Sequence, residues 1–312
     1  MDLLKESENN TPKKPNNYPF YFKFFSLLSV VRGYNIAIIV LAQYLASIFI
    51  FSPGASLKHV LLNLDLYFIV LSTTCVIAAG YIINNFYDVD RDLVNKPQKT
   101  KIDNIVSQKT KLYIYFALNF LGFAFALIVS WKAAVFFSVY IFLIWFYSHK
   151  LQLYPLIKLF SAAILALLPF FAIFVYYKNF SNIIFMHASF LFFILLMREL
   201  IKDLETIQGD IVVNYMTLPI KYGEKFTKML IGLIVFLCIP PIYFLLKHPE
   251  VGKMKYYYYF SGIVLLVFLV LLQKAKSKSN YMLLHTILKL LILAGVISLA
   301  FIDTSVILKR LL

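Results

Sequence analysis

The sequence predicts an all-α, polytopic membrane protein built as one bundle of about nine transmembrane helices. Of its 312 residues, 61% are hydrophobic and only 14% are charged, so the chain lacks the polar surface that a soluble domain of this length needs. Nine apolar stretches approach the roughly 20 residues that a helix needs to cross a membrane. Their hydrophobicity is continuous and does not alternate, which disfavours a transmembrane β-barrel.

The predicted helices follow one another with short connections. They cover about residues 26–50, 66–83, 112–130, 131–148, 156–177, 183–202, 228–247, 255–272 and 282–303. The third and fourth are adjacent, which predicts a tight helical hairpin. The polar segment of residues 1–18 lacks the apolar core of a signal peptide. We therefore expect a disordered cytoplasmic leader ahead of a single transmembrane domain over residues 19–312.

Basic residues predict the orientation of the bundle. Nineteen of the 30 Lys and Arg residues fall on the side of the N-terminus, eight fall on the opposite side, and three lie within predicted helices. Because cytoplasmic segments carry the excess of Lys and Arg, this distribution predicts a cytoplasmic N-terminus in a multi-pass protein of the bacterial inner membrane. The net charge of +15 also suits an anionic substrate, whereas the sequence shows no nucleic-acid-binding module.

Acidic residues are scarce and clustered. The chain has 15, and eight fall in two short windows at the ends of the second and sixth predicted helices, on the same side of the bundle. They are Asp88, Asp90, Asp92 and Asp103 in the first window, and Glu199, Asp203, Glu205 and Asp210 in the second. Carboxylates at membrane depth are costly and usually functional, so two such clusters predict a shared cationic ligand.

Spacing gives the first window a definite geometry. Asn84, Asp88 and Asp92 are four residues apart, which on a helix places them along one face, about 6 Å apart in rise. Asp90 would point roughly 200° away from Asp88, so it is not expected to contribute.

The second window repeats this pattern on the sixth predicted helix. Glu199, Asp203 and Asp210 share a stripe, whereas Glu205 faces elsewhere. Gly209 is expected to end the helix, which would leave Asp210 just beyond it.

Oxygen ligands on two helices are what Mg²⁺ requires, since this ion is held by carboxylates together with substrate phosphates. The predicted metal ligands are Asn84, Asp88, Asp92, Asp203 and Asp210. Basic residues close by would stabilise a diphosphate as it departs, and they are Arg91, Lys96, Arg198 and Lys202. The two windows therefore predict a Mg²⁺ site that binds a diphosphate.

Both windows resemble signatures of the UbiA superfamily of intramembrane prenyltransferases. The first signature, N-x-x-x-D-x-x-x-D with a basic loop after it, stands here as NNFYDVDRDLVNKP over residues 84–97. The second stands as RELIKDLETIQGD over residues 198–210 and is followed by TLPIKYG over residues 217–223. A third element, Arg32-x-x-Asn35, matches the R-x-x-N pattern of the family.

Two residues depart from the family pattern. Asn85 stands where the family often has Asp, and Thr206 replaces the middle Asp of the second signature. Thr206 removes one potential ligand, which leaves the number of metal ions open.

The resemblance implies a nine-helix transferase that binds a polyprenyl diphosphate through Mg²⁺, with the prenyl tail in an apolar channel between helices. Loss of the diphosphate would leave an allylic carbocation, which a hydrophobic acceptor in the bilayer traps. The implied catalytic residues are Asp88, Asp92, Asp203 and Asp210. The implied substrate-binding residues, besides the basic residues above, are Asn84, Arg32, Asn35, Tyr147 and Glu199.

The acceptor stays open at this point. The Arg198-Glu199 pair resembles the branch that prenylates glycerol-phosphate lipids, which favours geranylgeranylglycerol phosphate with a geranylgeranyl donor. Alternative acceptors are quinone precursors (a hydroxybenzoate, a naphthoate or homogentisate), haem or a chlorophyll precursor. An alternative from another class is a secondary transporter or cation channel, in which acids are also found within the membrane, although near its midplane.

Three further groups of residues are assigned no part in the site. The tyrosines of residues 256–259 are expected to form an aromatic belt at the membrane interface. The five histidines are scattered without metal-ligand spacing. Cys75 and Cys238 lie in apolar runs and are expected to be buried hydrophobic side chains.

Overall fold

The computed structural model describes residues 18–52 and 55–303 of the chain. Within these ranges the chain is almost entirely helical and contains no strand. The predicted leader over residues 1–18 lies outside the described residues, apart from Tyr18.

The helices of the described chain follow one another with short turns. The first eight are α1 (Phe20–Val30), α2 (Gly33–Ala46), α3 (Leu57–Leu61), α4 (Leu64–Tyr87), α5 (Val89–Asn95), α6 (Pro97–Asp103), α7 (Gln108–Val129) and α8 (Trp131–His149). The others are α9 (Pro155–Tyr177), α10 (Asn182–Val212), α11 (Leu218–Tyr222), α12 (Glu224–Leu237), α13 (Ile239–Lys247), α14 (Lys255–Lys274) and α15 (Lys278–Ser298). A π-helical turn over Ser47–Phe51 continues α2.

Nine helical segments of the described chain are long and apolar enough to cross a membrane. They are Gly33–Phe51, Leu64–Tyr87, Gln108–Val129, Trp131–Leu153, Pro155–Tyr177, Asn182–Val212, Glu224–Lys247, Pro249–Lys274 and Lys278–Phe301. The predicted all-α polytopic bundle is thereby confirmed. The second and sixth segments end on the same side of the bundle, which carries both acidic windows and is here called the Asp-rich end.

The first predicted helix is wrong at its start. Two helices replace the single helix expected from about residue 26, because Arg32 adopts a left-handed backbone conformation with a φ of 50° between α1 and α2. Gly33 follows directly, and glycine is a poor helix former. Helix α1 instead packs against α6, where Ser29 Oγ donates a hydrogen bond to Asp103 Oδ1 at 2.7 Å.

The sixth predicted helix is too short, and the expected stop at Gly209 is wrong. Helix α10 continues to Val212. Gly209 has a packing role instead, since a Cβ atom there would lie only 2.2 Å from Asn95 Oδ1. Glycine therefore lets α5 approach α10 closely, and Asp210 lies within the helix.

Helices α4 and α10 have the largest buried shares of the nine segments in the described chain. Helix α4 packs closely on α7, because a Cβ at Gly122 would lie 2.9 Å from Val76 Cγ2. Helix α10 packs against α9 and α15. The second acidic window thus lies on one of the two most enclosed helices, and the first begins directly after the other, at Asp88.

Asp103 belongs to a structural cluster at the Asp-rich end. This buried carboxylate accepts hydrogen bonds from Lys99 Nζ at 2.5 Å, Ser29 Oγ at 2.7 Å and Asn85 Nδ2 at 3.3 Å. Lys111 Nζ donates to Asn85 Oδ1 at 2.9 Å. The cluster ties α6 to α1, α4 and α7, and it gives Asn85 a structural role.

Candidate active site

The first acidic window keeps its helical spacing across a change of helix. Helix α4 ends at Tyr87, yet Asp88 N donates to Asn84 O at 2.9 Å and Asp92 N donates to Asp88 O at 2.8 Å. The Asn84 side chain also donates from Nδ2 to Asp88 Oδ2 at 2.9 Å. Asn84, Asp88 and Asp92 are therefore brought together as the sequence predicts, and Asp90 is exposed.

Arg91 connects the two acidic windows. Its Nε and Nη2 atoms donate to Asp210 Oδ1 and Oδ2 at 2.7 and 2.8 Å, and Nη2 lies 4.0 Å from Asp203 Oδ1. Thr206 lies beside this pair, with its hydroxyl donating to Asp210 Oδ2 at 2.8 Å. Arg91, predicted to bind the diphosphate, is thus occupied by a buried carboxylate of the protein itself.

Lys158 is a functional candidate that the sequence did not reveal. It lies in the first turn of α9 and is 2% exposed, with Nζ donating to Asp203 Oδ1 at 2.5 Å. In the sequence it looked like one of many basic residues at a helix end. The sequence signal that could have indicated Lys158 is its position three residues after Pro155, at the start of an apolar run.

Tyr215 and Asn95 complete this part of the site and were also missed. The Tyr215 ring lies 4.2 Å from Arg91 Cζ and 5.2 Å from Lys158 Nζ, positions that allow cation–π attraction. Asn95 Nδ2 donates to Asp210 Oδ1 at 2.9 Å. Neither residue belongs to a spaced pattern along the chain, so only the fold brings them to the acids.

Asp88 forms no ion pair with a basic side chain of the described residues, and Asn84 is its side-chain hydrogen-bond partner. Burial raises the pKa of its carboxyl above the usual range, although Arg91 and Lys202 act in the opposite direction. Lys96, 3.9 Å from Asp92, has its pKa lowered to about 8 by burial and by the nearby charge of Lys202. A partly buried carboxylate held by one amide is a fitting ligand for a divalent cation.

The described residues contain no ready-made cluster of three or more acidic, histidine or cysteine side chains around one point. Asp203 and Asp210 are paired with Lys158 and Arg91. The residues that fit Mg²⁺ directly are therefore Asn84, Asp88 and Asp92, because among the described residues their ion pairing is limited to the 3.9 Å contact of Asp92 with the partly exposed Lys96.

A cavity of ≈ 470 Å³ extends into the bundle from this region, between α2, α4, α8, α9, α10, α14 and α15. Seven predicted site residues line it, namely Arg32, Asn35, Asn84, Tyr147, Arg198, Glu199 and Lys202. Most of the remaining lining is apolar. It reaches from Asn35 to Ile50, about 22 Å at 1.5 Å per helical residue. The other predicted residues, Asp88, Arg91, Asp92, Lys96, Asp203 and Asp210, lie outside this lining.

The strained backbone at Arg32 directs two side chains to the cavity. Arg32 Cζ lies 5.0 Å from the ring centre of Tyr81, and Asn35 Nδ2 donates to Tyr81 Oη at 3.2 Å. Tyr147 lines the same cavity within electrostatic range of Glu199, Asp88 and Asp203. An aromatic ring of the cavity wall thus lies near carboxylates of both acidic windows.

Three further polar contacts involve side chains of α10 at or near the cavity. Lys202 Nζ donates to Glu199 Oε2 at 3.2 Å. Arg198 Nε donates to His285 Nε2 at 3.4 Å, and His285 Nδ1 lies 2.8 Å from Glu205 Oε2. His285 and Glu205, which received no role from the sequence, therefore support a predicted substrate-binding residue.

The predicted aromatic belt is wrong for two of its four tyrosines. Tyr257 and Tyr258 line the cavity, and Tyr258 Oη lies 2.5 Å from His187 Nδ1. Tyr256 and Tyr259 are exposed, as a belt requires. One face of α14 is thus turned to the cavity and the other to the outside. Cys75 and Cys238 are buried, as predicted.

Nine membrane-length apolar segments in the described part of the chain, an acidic end and a deep apolar cavity define an integral membrane enzyme for a long apolar substrate with an anionic head. The chain belongs to the UbiA prenyltransferase family, whose profile matches residues 40–290. It is therefore a prenyltransferase of the membrane, and the predicted resemblance is confirmed.

Curated relatives of the chain are digeranylgeranylglyceryl phosphate synthases. The protein of Methanobrevibacter smithii is 28% identical over 269 residues, which cover 81% of this chain and 89% of the relative. That of Pyrococcus horikoshii is 30% identical over 179 residues, covering 57% of this chain and 63% of the relative. The second match spans less than two thirds of the relative's length.

A solved structure shows the same fold. The UbiA homologue from Archaeoglobus fulgidus, bound to GPP and Mg²⁺, has a TM-score of 0.63 to this chain at 16% sequence identity. The superposition covers 88% of this chain and 99% of that protein. The fold is therefore shared over most of this chain.

Proposed function

We propose that this prenyltransferase transfers a geranylgeranyl group from its diphosphate to geranylgeranylglyceryl phosphate held in the membrane. The cavity carries this proposal, because an apolar channel of about 22 Å, bordered by charged side chains near the acids, suits a long prenyl chain with an anionic head. The names of the curated relatives favour this acceptor over the quinone precursors. Family membership favours the transferase over the transporter or channel.

Asn84, Asp88 and Asp92 would hold Mg²⁺, with Asp203 and Asp210 as further candidate ligands in competition with Lys158 and Arg91. Bound Mg²⁺ supplies positive charge that stabilises the departing diphosphate. Lys202 and Lys96 attract the same group from the protein side, since both lie close to the acidic windows.

The reaction breaks the bond between the allylic carbon and the diphosphate oxygen, and the electron pair leaves with the pyrophosphate. The acceptor hydroxyl oxygen then forms an ether bond with that carbon, and its proton passes to the pyrophosphate. The Tyr147 ring would stabilise the allylic cation through its negative face. Arg32 and Asn35, held against Tyr81, would orient the acceptor.

We infer that the Asp-rich end and the N-terminus face the cytoplasm. The membrane that contains the protein would be the bacterial inner membrane. The excess of Lys and Arg on that side supports this orientation. This orientation is tested with a cysteine that replaces Lys101 on α6, labelled by a membrane-impermeant reagent. Labelling only after the cells are opened is expected, and labelling of intact spheroplasts would reverse the orientation.

The function is tested by transfer from labelled geranylgeranyl diphosphate in detergent. The wild type should form the ether product in Mg²⁺, and Asp88→Asn should lower its rate at least about 10²-fold. Asp90→Asn is the matched control, because Asp90 is exposed and lies about half a helical turn from Asp88. This variant should retain full activity. Equal rates for Asp88→Asn and the wild type would contradict the assignment of the metal site.

A further inference from the structure

Lys289 is a basic residue deep in a membrane-spanning helix that the reaction described above does not use. It lies eleven residues after the start of α15, about 16 Å along that helix from the Asp-rich end. Its side chain is exposed and lines the cavity. Among the described residues, no carboxylate forms an ion pair with it, although Glu205 is close enough to feel its charge. A lysine at this depth is costly and indicates a function.

The surroundings of Lys289 are strongly basic. His285 lies one turn before it on the same face of α15, and Arg198 donates to His285 at 3.4 Å. Glu205, 2.8 Å from His285 Nδ1, is the carboxylate of this group. Arg198 and Lys289 both line the cavity, with Glu205 behind them, and Glu199 lines the cavity beside Arg198.

This group overlaps the second acidic window at Glu205, which is also close to Lys96, but its two cations line the cavity, whereas the carboxylates assigned to the metal do not. Arg198 precedes Asp203 by five residues on α10, which places it about 7.5 Å deeper in the bundle. The diphosphate is assigned to the acidic windows, where Lys202 and Lys96 lie. Arg198 and Lys289 therefore form a second cationic region on the wall of the cavity.

We propose that Arg198 and Lys289 bind the phosphate head group of the lipid acceptor, with the Glu205–His285 pair holding Arg198 in place. This assignment rests on the proposed function and extends it to the residues that select the acceptor. An anion between Arg198 and Lys289 would compensate both charges in a region of low polarity, where such pairing is strong. An acceptor without an anionic group would leave Lys289 uncompensated, so the site selects for phosphate.

The test compares two acceptors in two proteins. The acceptors are a glycerol phosphate with one geranylgeranyl ether and the same lipid without its phosphate; the proteins are the wild type and Lys289→Met. Lys289→Met should raise the KM for the phosphorylated acceptor at least about tenfold, because a charge-assisted contact is lost. The KM for the neutral acceptor and for geranylgeranyl diphosphate should stay unchanged.

Lys276→Met is the matched control, since Lys276 is exposed between α14 and α15 and does not line the cavity. Lys289→Arg should restore most of the preference for phosphate. An equal effect of Lys289→Met on both acceptors, or a higher KM for the diphosphate, would overturn the assignment.

Direct binding separates this inference from the proposed function. Calorimetry of the phosphorylated acceptor, without any diphosphate, should show at least about tenfold weaker binding to Lys289→Met than to the wild type. That result would stand even if the wild type transferred no prenyl group, which would overturn the proposed function alone. Equal displacement by phosphatidic acid would identify a general lipid site and overturn the assignment to the acceptor.

Discussion

At the scale of single residues, Arg91 acts as a structural clamp, because its buried ion pair with Asp210 connects α5 to α10. It is largely buried and bonds through two nitrogens to Asp210, which is fully buried. Removing one partner of a buried ion pair leaves the other charge without compensation, at a cost of about 3–5 kcal/mol. We expect Arg91→Met to lower the unfolding free energy by this order, measured by denaturant titration in detergent micelles.

A second substitution distinguishes the clamp from a role in substrate binding alone. Arg91→Met combined with Asp210→Leu removes both charges and should recover most of the lost stability. Lys101→Met serves as the control, because Lys101 is exposed on α6. Unchanged stability of Arg91→Met, with only a higher KM for the diphosphate, would contradict the clamp.

The sequence predicted the stripes of acids but not their partners. Asn84, Asp88 and Asp92 are neighbours because of a local four-residue period, which can be read from the chain. Lys158 meets Asp203 across 45 residues, and Arg91 meets Asp210 across 119. Such pairs depend on how α5, α9 and α10 pack, and no pattern along the chain specifies that packing.

At the scale of elements, Gly209 sets the distance between α5 and α10. A Cβ atom there would lie 2.2 Å from Asn95 Oδ1, and Asn95 also bonds to Asp210. Gly209→Ala should therefore push α5 outward and displace the first acidic window from the second. We expect a loss of about 10²-fold in transfer rate, since small misplacements of reacting groups have effects of this size.

Gly232→Ala is the matched control for this prediction. Gly232 also lies within a helix, and a Cβ atom at this position would have no neighbouring atom within 4 Å, so the added methyl group meets open space. The substitution should leave the transfer rate unchanged and slightly favour the helix. Similar rates for the two alanine variants would show that the approach of α5 to α10 is not required.

Pro169 interrupts the hydrogen bonding of α9, and a side chain from α8 compensates. Proline has no N–H, which frees the carbonyl of Leu165 one turn earlier. Tyr140 Oη donates to that carbonyl at 3.1 Å. Tyr140→Phe should lower the unfolding free energy by about 1 kcal/mol, because a buried carbonyl loses its partner. Tyr243→Phe, at an exposed ring, should cost nothing measurable in the same titration.

The membrane spans were predictable because lipid imposes a minimum length on each apolar helix. The ends of two of them were not. The break at Arg32 depends on the contacts of α1 with α6, and the extension of α10 to Val212 depends on its packing against α5. Tyr257 and Tyr258 were assigned to the interface because their tyrosine run looked uniform, whereas helix geometry turns only one face to the cavity.

At the scale of the whole molecule, metal binding and folding should be separable. Asp203 and Asp210 are already paired with Lys158 and Arg91, so most of the buried acidic charge is compensated without Mg²⁺. Chelation of divalent cations should abolish binding of geranylgeranyl diphosphate, and in protein without the diphosphate it should leave the midpoint of thermal unfolding within about 2 °C. A large fall in that midpoint would show that the metal holds the bundle together.

Asp88 differs from Asp203 and Asp210, because no ion pair compensates its charge among the described residues. The charge that the reaction requires should therefore destabilise the metal-free protein. Burial raises the pKa of its carboxyl, so the folded protein binds this proton more tightly than the unfolded chain does. Without metal, the contribution of Asp88 to stability is therefore greatest at low pH and is lost as the pH rises through the raised pKa. Asp88→Asn removes that loss, and it should unfold at a higher temperature than the wild type in chelator at neutral pH.

The same variant lacks transfer activity if Asp88 holds the metal, so one substitution should stabilise the metal-free protein and inactivate the enzyme. Adding Mg²⁺ with geranylgeranyl diphosphate should then raise the unfolding midpoint of the wild type but not that of Asp88→Asn. A wild type that is more stable than Asp88→Asn in chelator would mean that a cation of the protein compensates Asp88. The charge proposed to hold the metal would then have to lie elsewhere at the Asp-rich end. Asp92, whose contact with the partly exposed Lys96 is 3.9 Å long, is the other carboxylate of the stripe in the first window.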